Sequence, residues 1–119
     1  MEIDSLLTFT HRIQLRDWLE HHHLSARCCW VACNRSKAAK PDTLPYLEIV
    51  EEALCYGWID STVKKLPDGR LAQRLSPRRK GSHWTELNRN RCHDLERRGL
   101  MTEDGRKAFK DSVEGNDVL

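Results

Sequence analysis

Ile13, Leu15, Trp18 and Leu19 recur at helical spacing, and Thr10 stands where an N-cap is wanted. Together they predict a first helix that runs into the His21-His22-His23 run. Ala26 to Cys33 has a different pattern. Trp30 and Ala32 alternate with Val31 and Cys33, apolar on both faces, which predicts a central strand. Asn34 to Asp42 is rich in lysine, alanine and proline and reads as a loop. Pro45 suits the first turn of a second helix, in which Leu47, Val50 and Leu54 form a stripe with Glu48, Glu51 and Glu52 turned outward. Gly57 is placed for a left-handed C-cap.

Trp58 to Lys65 then reads as a strand, with Ile59 and Val63 alternating with polar neighbours. Pro67-Asp68-Gly69 is a turn, because proline presets φ and glycine accepts a positive one, and Arg70 to Leu75 is the returning strand. Ser76 to Gly81 is a basic loop. Ser82 is the expected N-cap of a third helix ending at Gly99, Thr102 that of a short last helix, and Glu114 to Leu119 is expected to fray. The order of elements predicts an α+β fold, a small, mostly antiparallel sheet of about three strands packed with four helices.

The chain has 119 residues, which fits a single domain. Charged residues make up 32% and hydrophobic ones 39%, a polar composition that still supplies a core. No apolar run approaches the ~20 residues that span a bilayer, so no membrane insertion is expected. The first nine residues lack a basic start, which argues against a signal peptide. The five cysteines are odd in number and contain no CxxC pair, which fits a reducing, cytoplasmic setting. The net charge of +2 is unevenly placed: from Thr62 to Arg98 eleven basic residues face four acids, leaving the remainder at −5. Such asymmetry points to an anionic partner for one face.

Most conspicuous features carry little chemistry. Consecutive helical residues point about 100° apart, so the three histidines do not converge on a metal and read as a solvated helix end. Cys29 and Cys33 on a strand would lie ~13 Å apart, too far to share an ion, and read as buried, inert thiols. No metal site and no cofactor are expected. The run Ser76 to Trp84 is more informative. It puts Arg78, Arg79 and Lys80 directly before a helix start, where free N–H groups already favour an anion. Ser82 can donate, and Trp84, Asn88 and Arg91 would share one helix face, offering a ring, an amide and a guanidinium. The competing reading is a charged loop with Trp84 in the core. Asp60 is a lone acid that could act as a base with His83. The blander alternative pairs it with an arginine of the returning strand such as Arg74.

The segments Glu51-Glu52-Ala53-Leu54-Cys55-Tyr56-Gly57-Trp58-Ile59-Asp60-Ser61 and Ser76-Pro77-Arg78-Arg79-Lys80-Gly81-Ser82-His83-Trp84, followed by Asn88-Arg89, resemble the YdeI/OmpD-associated (OmdA-like) family. Trp18-Leu19-Glu20 with His23, and Gly99-Leu100-Met101-Thr102 with Gly105, fit the same pattern, over roughly residues 9–108. The resemblance implies a link to tolerance of bacteriocins and cationic antimicrobial peptides, and brings no catalytic residues. It also implies a further basic helical segment beyond the position where this chain stops.

The leading expectation is a non-enzymatic module that binds an anion (a phosphorylated small molecule, nucleic acid or an acidic protein surface) through Arg78, Arg79, Lys80, Ser82, Trp84, Asn88 and Arg91. One alternative is a small enzyme using Asp60 and His83. Another is a protein-interaction domain, dimeric through Trp58 and Trp84.

Overall fold

The computed structural model describes residues 3, 5–35, 42–79 and 84–117, with side chains through residue 111. The fold is α+β, with a mixed five-stranded sheet and four helices. β1 is Leu6–Leu7, α1 Arg12–His22, β2 Cys29–Asn34, β3 Leu44–Pro45 and α2 Tyr46–Cys55. β4 is Trp58–Lys65, β5 Leu71–Pro77, α3 Glu86–Arg97 and α4 Glu103–Asp117.

The expected strand around Ala32 is β2, and every one of its residues is buried. It is central: β5 runs antiparallel along one edge. On the other edge β1 pairs at Trp30 and Val31, and β3 at Cys33 and Asn34, both parallel. These two additions correct the prediction of a mostly antiparallel sheet of three strands. A two-residue strand has no alternation to read, and its pairing exists only once β2 offers an open edge. β4 closes the far side against β5.

Cys29, Val31 and Cys33 leave β2 on the face that carries the helices, where they join Leu15, Leu19, Ile49, Leu54, Trp58 and Leu95 in the core. Leu75 lies opposite Cys29, and Asp60 lies opposite Leu75. Directly paired residues point to the same side of a sheet, so Asp60 faces the helices as well.

α2 departs from its predicted orientation. Leu47 is 50% exposed, whereas Glu51 and Glu52 are only 8% and 1% exposed. The helix packs against α1, α3, α4, β2 and β4, so most of its circumference is enclosed. The two carboxylates are tolerated there because they are paired. Arg12 places Nε and Nη2 on Glu52 Oε2 at 2.8 and 2.5 Å, and Arg16 Nη1 donates to Glu52 Oε1 at 3.0 Å. Glu51 bridges Arg12 and Arg98, each at 3.0 Å.

Helix ends differ from expectation by a few residues. His11, not Thr10, is the N-cap of α1. The Gln14 amide oxygen accepts from the Thr10 and His11 N–H groups at 2.9 and 3.0 Å, which closes the turn from inside the helix. Thr85 caps α3, its hydroxyl accepting from Asn88 N at 3.1 Å, and the proposed cap Ser82 lies outside the described residues. Thr102 is placed as predicted: its hydroxyl accepts from Gly105 N at 3.3 Å and donates to the Cys55 carbonyl. The backbone of α4 continues through Asp117.

Gly57 ends α2 with φ of +75°, the left-handed cap the sequence called for. The Leu66 and Arg70 backbones close the Pro67-Asp68-Gly69 turn at 2.8 Å.

Candidate anion site at the α2 N-terminus

Tyr46 opens α2, and its hydroxyl donates to Asp60 Oδ2 at 2.7 Å. The two meet because β4 turns Asp60 towards the helices. The same register rules out the expected Asp60–Arg74 pair. Arg74 lies opposite Trp30 and leaves the sheet on the other face, where its Nη1 donates to the Ser61 hydroxyl at 3.3 Å. Burial, then the bond to Asp60, hold the Tyr46 hydroxyl above its ordinary value, while Arg91 and Arg35 act in the opposite sense.

Three guanidiniums gather round this pair from three elements. Arg35, just past β2, sits over the Tyr46 ring with Cζ 4.9 Å from its centroid. Arg91 of α3 lies within electrostatic reach of Tyr46. Its Nη1 donates to Asn88 Oδ1 at 2.9 Å, one helical turn back on a buried amide. Arg78, just past β5, is half-buried and stacks on Trp84 with Cζ 3.6 Å from the ring centroid. Burial pushes the Arg78 guanidinium down to about 10, although Cys92 and Asp60 favour its charged form. Neither Arg35 nor Arg91 forms an ion pair with a carboxylate among the described residues. By contrast Arg12, Arg16, Arg70, Arg97, Arg98 and Arg106 all do.

Of the residues expected from sequence to form the site, Arg78, Trp84, Asn88 and Arg91 are brought together with Asp60. Arg79 is exposed. Lys80, Ser82 and His83 lie outside the described residues. Trp84 does not share a helix face with Asn88 and Arg91, since it precedes the Thr85 cap. It is 8% exposed and packs on Phe109 of α4, 5.7 Å between ring centroids, so it is a core ring whose other contact is Arg78. The competing reading, with Trp84 in the core, is the one its burial fits. Tyr46 and Arg35 were missed. Tyr46 beside Pro45 at a helix start is the available signal, but only the β4 register shows which acid it meets.

The remaining candidates are structural. Trp58 is 1% exposed and donates from Nε1 to the His23 carbonyl at 3.2 Å, so it cannot anchor an interface. His21 and His22 are exposed, as expected for a helix end, but His23 is not simply solvated. Its Nδ1 meets the Leu19 carbonyl at 2.6 Å and its Nε2 meets Asp104 at 2.7 Å, tying α1 to α4. Cys29, Cys33, Cys55 and Cys92 are buried free thiols, and Cys28 is partly exposed. Among the described residues no helix is long and apolar enough to cross a membrane.

No curated protein matches this chain, and no solved structure does. Residues 7–108 match a family described as Domain of unknown function (DUF8412), and the chain belongs to that family.

Proposed function

We propose that the chain is a non-enzymatic binding module for a small phosphate-bearing ligand, held at the α2 N-terminus by Arg35, Arg78 and Arg91. The observation that carries this reading is the imbalance around Tyr46. Arg35, exposed just past β2, and half-buried Arg91 of α3 form no ion pair with a carboxylate among the described residues, and the acid nearest them, Asp60, has its Oδ2 already engaged by Tyr46. By contrast the partly buried Arg12 and Arg16 are neutralised by acids, at Glu51 and Glu52. Positive charge gathered beside a half-buried Tyr46–Asp60 pair favours an anion more strongly than the same charge spread over an open surface.

The enzyme reading with Asp60 and His83 has less support, because Asp60 serves as acceptor to a tyrosine kept protonated by its surroundings. The five free cysteines support a reducing, cytoplasmic location. The resemblance to the YdeI/OmdA-like family supports a role in stress or antimicrobial-peptide tolerance. Such a role would act through the anionic ligand, since a basic site repels cationic peptides.

Trp84 fluorescence reports the site directly through its contact with Arg78. Titration with inorganic phosphate at low and high salt is expected to give saturable binding that weakens with salt. Arg91→Ala and Arg35→Ala are each expected to weaken it by about tenfold. Absence of saturable binding at low salt, or affinity unchanged in both variants, refutes the reading. Tighter binding of short nucleic acids, with a steep salt slope, would move the function to nucleic-acid binding.

A further inference from the structure

A polar depression of about 300 Å³ lies where the end of β2 meets the β4–β5 turn, lined by Asn34, Arg35, Thr43, Asp68 and Arg70 among others. Arg35 is shared: it lines this depression and also covers the Tyr46 ring. Asn34 is 7% exposed and donates from Nδ2 to the Thr43 hydroxyl at 2.8 Å, but its Oδ1 is buried with no hydrogen-bond partner. A buried acceptor left unmade is costly, and the group that satisfies it must be a donor. Asp68, at the rim, already accepts from Arg70 N at 3.0 Å and from Arg70 Nε at 2.8 Å. A carboxylate has about four acceptor positions, so it retains capacity for a further donor.

We propose that this depression receives the hydroxyl-bearing part of the ligand, so that the phosphate held by Arg35 belongs to a phosphorylated polyol such as a sugar phosphate. Asn34 Oδ1 and the Asp68 carboxylate accept from the hydroxyls, and Arg35 joins the two halves of the site. The inference rests on the anion-binding reading above and adds the chemical class of what carries the anion. Acceptors beside a cation discriminate a hydroxylated phosphate from a bare one, because a bare phosphate leaves Asn34 Oδ1 unsatisfied and brings its own acceptors towards Asp68.

Calorimetric titration of the full chain with ribose 5-phosphate, inorganic phosphate and ribose tests this. The sugar phosphate is expected to bind at least about tenfold more tightly than phosphate. Asn34→Ala and Asp68→Asn are expected to remove most of that advantage, Asn34→Ala with phosphate affinity unchanged and Asp68→Asn with phosphate affinity unchanged or raised, since a like charge is removed. Asp68 is exposed at a turn, so Asp68→Asn decides the matter if Asn34→Ala does not fold. Equal affinity for sugar phosphate and phosphate overturns the hydroxyl subsite and leaves the anion site standing. An advantage that persists in Asp68→Asn and in folded Asn34→Ala means that water satisfies the amide, and also overturns it. Binding of neither probe removes both readings together.

Discussion

Asp60 and Tyr46 show how one residue's role depends on which way the backbone points it. Removing the Tyr46 hydroxyl leaves a half-buried carboxylate without its donor. Tyr46→Phe is therefore expected to lower stability by about 1 kcal/mol, read from urea unfolding. Half-buried Tyr46 and buried Tyr56, each bonded to a carboxylate, titrate above their ordinary value of 10.0. The unfolded chain thus loses these protons first. The stabilisation is complete below about pH 10 and declines as pH rises towards the folded values. Unfolding midpoints between pH 8 and pH 11 should fall, and fall less in Tyr46→Phe/Tyr56→Phe. For the cysteines, burial pushes Cys29 and Cys92 up to about 12 and Cys55 up to about 11. A disulfide reagent at pH 8 is expected to label Cys28 alone in the native protein and all five thiols after unfolding. The burial of Cys29 and Cys33 was legible from an apolar strand. The Tyr46–Asp60 bond was not, because it needs the alignment of β4 against β5 and the seating of α2 on that face.

At the level of elements, α2 is the member around which the others assemble, and its acids are the clamp. Glu52 holds both Arg12 and Arg16 of α1, and Arg16 also donates to the Leu100 carbonyl after α3. Glu52→Gln leaves two partly buried cations short of their counter-charge. A loss of about 3 kcal/mol is expected, with a lower denaturation midpoint and an unchanged slope. The sequence pattern gave these acids an outward face, since helical periodicity reports polarity and not the number of neighbours a helix will have. The docking of α4 depends on a different device. A Cβ at Gly105 would come within 2.3 Å of the Cys55 carbonyl oxygen, and one at Gly57 would meet the Asp104 carbonyl at 3.1 Å. Two glycines thus let α4 approach the end of α2, where Thr102 also binds Cys55. Gly105→Ala is expected to cost about 3 kcal/mol or to detach α4, visible as early hydrogen exchange in that helix alone. The Gly57 cap was readable from its position after a helical stripe. Gly105 carries no such local signal, since its neighbour lies in another element.

Across the whole molecule the basic surplus between Thr62 and Arg98 divides by face. Arg74 leaves the sheet away from the helices and meets Ser61, while Arg91 turns to the helix side and joins Arg35 beside Tyr46, and Arg78 stacks on Trp84 within reach of Asp60. If the site binds phosphate, the folded state is stabilised by mass action. Millimolar phosphate should then raise the melting temperature of the wild type more than that of Arg91→Ala at equal ionic strength.

The sequence by itself determined the α+β class, the central strand at Cys29–Asn34, the hairpin closed by Pro67-Asp68-Gly69, the left-handed cap at Gly57 and the cap at Thr102. Each follows from local periodicity or from a backbone preference that neighbours in the chain supply. Tertiary structure alone decided the two short parallel strands, the burial of Glu51 and Glu52, the position of Trp84 ahead of α3 and the partner of Asp60. Those outcomes depend on which edges and faces meet across the fold, a geometry to which pattern along the chain is blind. The candidate site lies across that division: Arg78 and Arg91 were visible within a charge surplus, whereas Arg35 and the Tyr46–Asp60 centre became visible only when the sheet and α2 were joined.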